Sequence, residues 1–190
     1  MATIEIMTTG RIELGPTGRV VAENVKRLRK EKGMSLRALS DALSELGRGL
    51  SQDAINKIEN GAEEGTRRQI RRVDVDDLIV LAVALNVSPA ALLLPLDDAP
   101  NSVVEITGAG EVPADVAWAW ASNQRPLDLP DSGDVRTPML KYQLLSLPPG
   151  RRWTGLTERE FFERLASWGA VDLDAIKRLN PKVWEAEGDG

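Results

Sequence analysis

The sequence predicts a mainly α-helical protein: a five-helix bundle over residues 17–96, then an α-rich extension with little β-structure over 97–190. Three observations carry this reading. Apolar residues recur at three- and four-residue spacing through five consecutive stretches between 19 and 94. Cap or stop residues bound those stretches at the right places. Beyond them the helical signals thin out but continue, and the clearest strand-like run is Val103, Val104 and Ile106.

Residues 1–16 read as an arm or small hairpin, with Ile4/Ile6 and Ile12/Leu14 alternating about Thr8-Thr9-Gly10. Gly15-Pro16 breaks that pattern. The first helix is expected over 19–32, with Val21, Val25 and Leu28 inward and Gly33 as its stop. The second follows Ser35 as N-cap and places Leu36, Leu39, Ala42, Leu43 and Leu46 on one face. Gly47-Arg48-Gly49-Leu50 turns the chain. The third follows Ser51 as N-cap, points Ile55 and Ile58 inward, and ends at Asn60-Gly61. A basic loop, 62–72, leads to the fourth helix over 74–86, where Val75, Leu78, Ile79, Ala82 and Leu85 are expected in register. Asp74, Asp76 and Asp77 sit at its start, the favourable end of the helix dipole. Ser88-Pro89 opens a short fifth helix over 89–94, which Pro95 stops.

In the extension, 103–106 is expected as a strand and 114–122 as a helix carrying Trp118 and Trp120. Residues 125–138 carry loop chemistry, and 140–147 fits either a helix or a strand. Thr157-x-x-Glu160 is a capping box ahead of Phe161, Phe162, Leu165 and Trp168, and a last helix is expected over 172–180. All five tryptophans lie at or beyond 118, so this region has large apolar anchors to bury.

Composition removes whole classes of chemistry. The chain has 190 residues, 42% hydrophobic and 28% charged, with no cysteine and no histidine. Disulfide scaffolds, Cys/His zinc sites, thiol nucleophiles and imidazole acid–base catalysis are therefore out. No apolar run is long enough for a membrane span, and the first residues lack a signal-peptide layout, so a cytoplasmic protein with no membrane partner is expected. The net charge of −5 conceals an asymmetry: 11–72 carries 14 Lys/Arg against 9 Asp/Glu, whereas 73–190 carries 10 against 19. A basic segment thus precedes an acidic one.

The second and third helices, joined by a tight turn, have helix-turn-helix character. The third has an apolar inner side and the polar residues Gln52, Asp53, Asn56 and Lys57 elsewhere. Such a helix, standing proud of its bundle, enters the major groove of duplex DNA. A glutamine amide matches the N6/N7 edge of adenine, an aspartate accepts from a cytosine amine, and a lysine reaches guanine or phosphate. Asp53 has a second reading as a stabiliser of the helix N-terminus. Arg67, Arg68, Arg71 and Arg72 are placed to clamp a DNA backbone, with Arg71 or Arg72 alternatively capping Asp74–Asp77.

Three segments, KRLRKEKGMSLRALSDAL, SQDAINKIENG and VDVDDLIVLAVALNVSPAALLL, resemble the lambda-repressor-like (Xre-type) helix-turn-helix family over about 19–94. The resemblance implies base readers at Gln52, Asp53 and Lys57, phosphate anchors near Ser35, Ser51 and Asn60, and a structural ion pair between Arg29 and Glu59. Two departures stand out. Leu36 occupies a position where the family often has a glutamine, so that phosphate contact is either missing or moved to Arg37. The second helix with its turn is about one helical turn longer than usual, and Arg48 in it becomes a further phosphate candidate.

The expected function is sequence-specific binding of a double-stranded DNA operator by a transcriptional repressor, such as a phage immunity repressor or mobile-element regulator. The segment after the bundle is similar to regulators of actinobacteria and their phages. The alternative is an antitoxin-like module whose acidic C-terminal region binds a partner protein. No cofactor, metal or enzymatic activity is expected. The enzymatic rival, self-cleavage at Ala109-Gly110 by Ser146 and Lys182, is disfavoured because the chain after 146 reads as helical. The C-terminal region is expected to pack on the bundle, to form a homodimer, or to receive a partner.

Overall fold

The computed structural model describes residues 13–97, 99, 101–130, 133–152, 156–167, 171–179 and 181–185. The expected arm over 1–16 falls almost wholly outside these, as does Trp168. The chain forms two compact units. One runs through Asp97 and takes in Val103–Glu111; the other comprises Asp98–Ser102 and the chain from Val112 onward.

The first unit contains α1 (Pro16–Glu31), α2 (Leu36–Glu45), α3 (Gln52–Glu59), a 3-10 turn (Asn60–Ala62), α4 (Val75–Ala84) and α5 (Ala90–Leu93). Their buried faces meet in one core built on Val21, Val25 and Leu28 of α1, Leu39 and Leu43 of α2, Ile55 and Ile58 of α3, Val80 and Leu81 of α4, and Leu92 of α5. Burial of such side chains is worth roughly 1.5–3 kcal/mol each before conformational entropy is charged against it.

Long-range caps fix how these helices meet. The N-cap of α1 is Gly15, which has no side chain to offer. The capping oxygen comes from elsewhere: Thr17 N donates to Thr107 Oγ1 at 3.4 Å, and Thr107 N donates to Thr17 Oγ1 at 3.0 Å. A Cβ on Gly15 would meet that Thr107 oxygen at 2.9 Å, so the bare backbone makes room for the borrowed cap. The Gly61 position is tighter still, since a Cβ there would lie 2.5 Å from Leu14 Cδ1 and 3.5 Å from Ala22 Cβ. Buried Asn24, in the middle of α1, donates from Nδ2 to the carbonyls of Leu92 and Leu94 at 3.2 and 2.8 Å. It thereby satisfies carbonyls at the end of α5 that have no partner within that helix.

Two parts of the helical register differ from the sequence expectation. Leu46 is exposed, and Leu50 after the turn is buried instead. In α4, Val75 and Ile79 face outward, 76% and 47% exposed, while Asp77, Val80, Leu81, Ala82 and Leu85 are buried. The cause is Asp77. Its carboxylate accepts from Arg48 Nε at 2.9 Å and Arg71 Nη2 at 2.7 Å, so two guanidinium groups hold it inside. An α4 that is apolar nearly all round left its inward face undetermined by spacing alone, and the paired aspartate selects it.

Asp74 caps α4 by accepting from Asp77 N at 2.7 Å and also accepts from Arg48 Nη2. The backbone N–H of Asp77, and then Arg48, hold its carboxyl below the usual aspartate range. A depressed folded-state pKa means that this contribution is fully present above the unfolded value, near 4, and is lost as pH falls from there through the lower folded-state value. Asp74→Asn keeps the cap but removes the charge. Thermal melts of the variant should therefore lose less stability than wild type between pH 7 and pH 3; an unchanged acid limb would refute the assignment.

In the second unit, α6 (Ala114–Ala121), α7 (Arg136–Ser146), a 3-10 turn (Pro149–Arg151), α8 (Glu158–Ser167), α9 (Leu173–Leu179) and α10 (Lys182–Glu185) follow in order. Met139, Phe161, Phe162 and Leu165 form its core, with Trp184 packed against it. The capping box is present: Glu160 N donates to Thr157 Oγ1 at 3.2 Å, and Thr157 N donates to Glu160 Oε2 at 2.8 Å. The stretch 140–146 is helix, with Leu147 as its C-cap, and α10 is an element the sequence reading did not anticipate. Strand β1 (Val103–Ile106) pairs with β2 (Gly110–Pro113), whose two-residue apolar content was too slight to register as a strand.

Candidate nucleic-acid interface

The turn that separates α2 from α3 is set by hydrogen bonds. Ser35 Oγ accepts from Ala38 N and Ser51 Oγ from Ala54 N, so both serines are N-caps as expected. Gly47 takes a φ of +81° and Arg48 N donates to Leu43 O, which ends α2. Ser40 Oγ then donates to Leu50 O at 2.7 Å and holds the residue just ahead of the α3 cap against α2. Ile55 and Ile58 anchor α3 in the core. The opposite side is left open: Gln52, Asp53 and Asn56 are exposed, and Lys57 is partly so.

The C-terminal end of α3 is fixed by the Arg29–Glu59 pair that the family resemblance implied. Arg29 donates from Nε to Glu59 Oε1 at 2.6 Å and from Nη2 to Glu59 Oε2 at 2.8 Å. Its Nη1 donates to Met34 O at 2.8 Å. The two side chains are only 11% and 7% exposed. This two-toothed contact ties α1 to α3 and to the turn before α2, and Glu59 keeps the Arg29 guanidinium above its ordinary pKa.

Around the open side of α3, a surface depression is bounded by Asp53, Asn56, Lys57, Asn60, Arg68 and Gln69. Five of these were singled out from the sequence. Gln69 was not; a loop position offers no periodicity to reveal it, and only its backbone carbonyl, which accepts from Asn60 Nδ2 at 3.1 Å, places it there. Arg71 N donates to Lys57 O at 3.1 Å, which brings the basic loop back onto α3. Arg67 and Arg68 are exposed and form no ion pair with a described residue.

Other candidates are already engaged. Arg48 reaches Asp74, Asp76 and Asp77 at 2.7, 3.6 and 2.9 Å, so the expected phosphate contact gives way to an internal clasp. Three carboxylates around one guanidinium repel a phosphate, and the longer turn serves to bring Arg48 to the start of α4. Arg71 caps Asp77, the alternative open to it from the sequence, and Arg72 Nη2 donates to Glu13 O. Asp53 pairs with Lys57 at 2.7 Å across one turn of α3, and Arg37 lies 3.8 Å from Asp41. Ser146 closes α7 and Lys182 opens α10. Among the described residues, no cluster of acidic side chains is arranged to hold a metal ion, and no helix is long and apolar enough to cross a membrane.

Comparison with known proteins bears on the same segment. No curated protein and no solved structure matches the chain. A helix-turn-helix family model matches residues 25–92, from the middle of α1 through α5. Residues 25–92 are thus similar to helix-turn-helix domains, a likeness that supports DNA binding by a transcription regulator.

Proposed function

We propose that the protein is a sequence-specific repressor that reads the major groove of an operator with α3. The observation that carries this reading is the uncovered polar side of α3, with Gln52, Asp53 and Asn56 exposed while Ile55 and Ile58 are buried. Gln52, Asn56 and Lys57 are the base readers. Asp53 has a smaller part, because its carboxylate is taken by Lys57 and repels the duplex. Ser35, Arg37, Ser51, Asn60, Arg67 and Arg68 contact phosphates. We assign no catalytic step to the chain, and we place its action in a bacterial cytoplasm on a chromosomal, mobile-element or prophage operator.

Selection of bound duplexes from a random pool, followed by gel shifts across a salt series, tests this reading. One enriched site and affinity falling steeply with salt are expected; no enrichment would overturn it. Arg68→Ala should weaken binding to all sites alike and reduce the salt slope by about one unit. A change confined to one base position would argue against the phosphate role.

We assign self-association to the second unit. Leu144 and Leu145 at the end of α7 are 50% and 90% exposed, and Leu179 is 76% exposed. Leu144 and Leu145 are neighbours in the chain, and adjacent exposed leucines at a helix end are the feature that supports this assignment. Light scattering on the full chain should give a dimer whose mass falls to that of a monomer in Leu145→Glu. A wild-type monomer at all concentrations would instead favour the antitoxin-like alternative, a role in holding a different protein.

A further inference from the structure

Among the described residues, the buried acidic side chains are Glu59 and Asp77. Glu59 is spent on Arg29. Asp77 is 0% exposed, and its two oxygens serve different arginines: Oδ1 accepts from Arg48 Nε at 2.9 Å and Oδ2 from Arg71 Nη2 at 2.7 Å. These arginines lie on opposite sides of α3 in the chain. Arg48 sits in the turn that leads into the helix, three residues before its N-cap Ser51. Arg71 sits in the loop that leaves it, and its backbone N–H donates to Lys57 O at 3.1 Å, one of the last four carbonyls of α3. One carboxylate on α4 therefore bridges the entry to α3 and the exit from it.

The two ties differ in what else supports them. Arg48 also reaches Asp74 and Asp76. The Arg71 side chain has Asp77 as its hydrogen-bond partner, and its Nη1 is buried without an acceptor among the described residues. The exit loop, which carries Arg67 and Arg68, thus depends on Asp77 more than the entry turn does. Ser40 and Glu59 hold the α3 region to α2 and α1, and Asp77 adds the tie to α4. Side chains that read a base edge must be placed to within about 0.5 Å, so what fixes their helix bears on what they read.

We propose that Asp77 is the positioning residue of α3: by holding Arg48 and Arg71 it fixes where the helix and its exit loop stand on the bundle, and so sets sequence preference without touching DNA. This rests on the reading of α3 as the groove-entering helix. Asn at 77 would keep the shape but offer one acceptor oxygen in place of two, and no charge.

The test compares affinity for the selected operator with affinity for random duplex, using full-length protein at a temperature where melts show each variant folded. In Asp77→Asn the ratio of the two should fall by about 2- to 30-fold. Random-duplex binding should hold or rise, since the freed Arg71 adds a cation. Arg71→Gln should lower the ratio in part, and the double variant should lose no more than Asp77→Asn alone, because both changes break the same tie. Should Asp77→Asn fail to fold, Arg71→Gln decides the matter by the same ratio. An unchanged ratio in the folded variants, equal losses on operator and random duplex, or additive losses in the double variant would each overturn the proposal. The wild-type result separates this from the broader reading: a wild type that selects no operator sinks both, whereas a wild-type preference that survives in the variants sinks the role of Asp77 alone.

Discussion

Glu59→Ala is expected to lower the unfolding free energy by about 3–5 kcal/mol, the usual cost of stranding one member of a buried ion pair. The pair is nine-tenths covered, and Arg29 would keep only its bond to Met34 O. Against a typical total of about 5–15 kcal/mol, that loss brings the first unit close to unfolding at physiological temperature. Urea titration at low temperature measures it. The same logic predicts that an Arg29→Met/Glu59→Leu double variant recovers most of the loss, because no buried charge is then left unpaired. A single-variant loss below about 1 kcal/mol would show that the pair behaves like an exposed one.

Gln52→Ala and Asn56→Ala are each expected to cost about 1–3 kcal/mol of operator affinity, concentrated at one base position, with that position's preference relaxed. Both side chains are exposed, so unfolding free energies should move by no more than about 0.5 kcal/mol. The separation of the two effects is the informative result. A variant that binds all sequences more weakly, with preferences intact, would place these amides on the DNA backbone. A variant that binds as wild type would remove α3 from the groove.

The helix-turn-helix was legible because each of its determinants is local. Ser35 and Ser51 cap helices within three residues, Gly33 and Gly47 end them, and Ile55 and Ile58 fall at helical spacing. The Arg29–Glu59 pair was accessible only through family resemblance, since nothing in the 30-residue gap between them brings them together. What escaped was long-range. Asn24 looks like a surface amide until α5 arrives beside it, and Arg48 looks like a free cation until the start of α4 closes on it. The inward register of α4 held at Leu78, Ala82 and Leu85 and failed at Val75 and Ile79: apolar residues nearly all round leave the face loosely defined, and the guanidinium groups on Asp77 fix it. The capping box at Thr157 was legible, whereas Gly110–Pro113 is defined as a strand only by its partner.

The loan of a hydroxyl from Thr107 to the first turn of α1 has a practical corollary for anyone dividing the chain by cloning. A truncated product stopping at 96 would lose the group that Gly15 was left bare to admit, and its leading turn should fray and exchange its amides faster. Extending the stop codon to 112 restores Thr107, but it carries along residues 98–102, which belong to the other half. The polypeptide crosses between the two halves three times, so no single scissor cut yields two intact pieces.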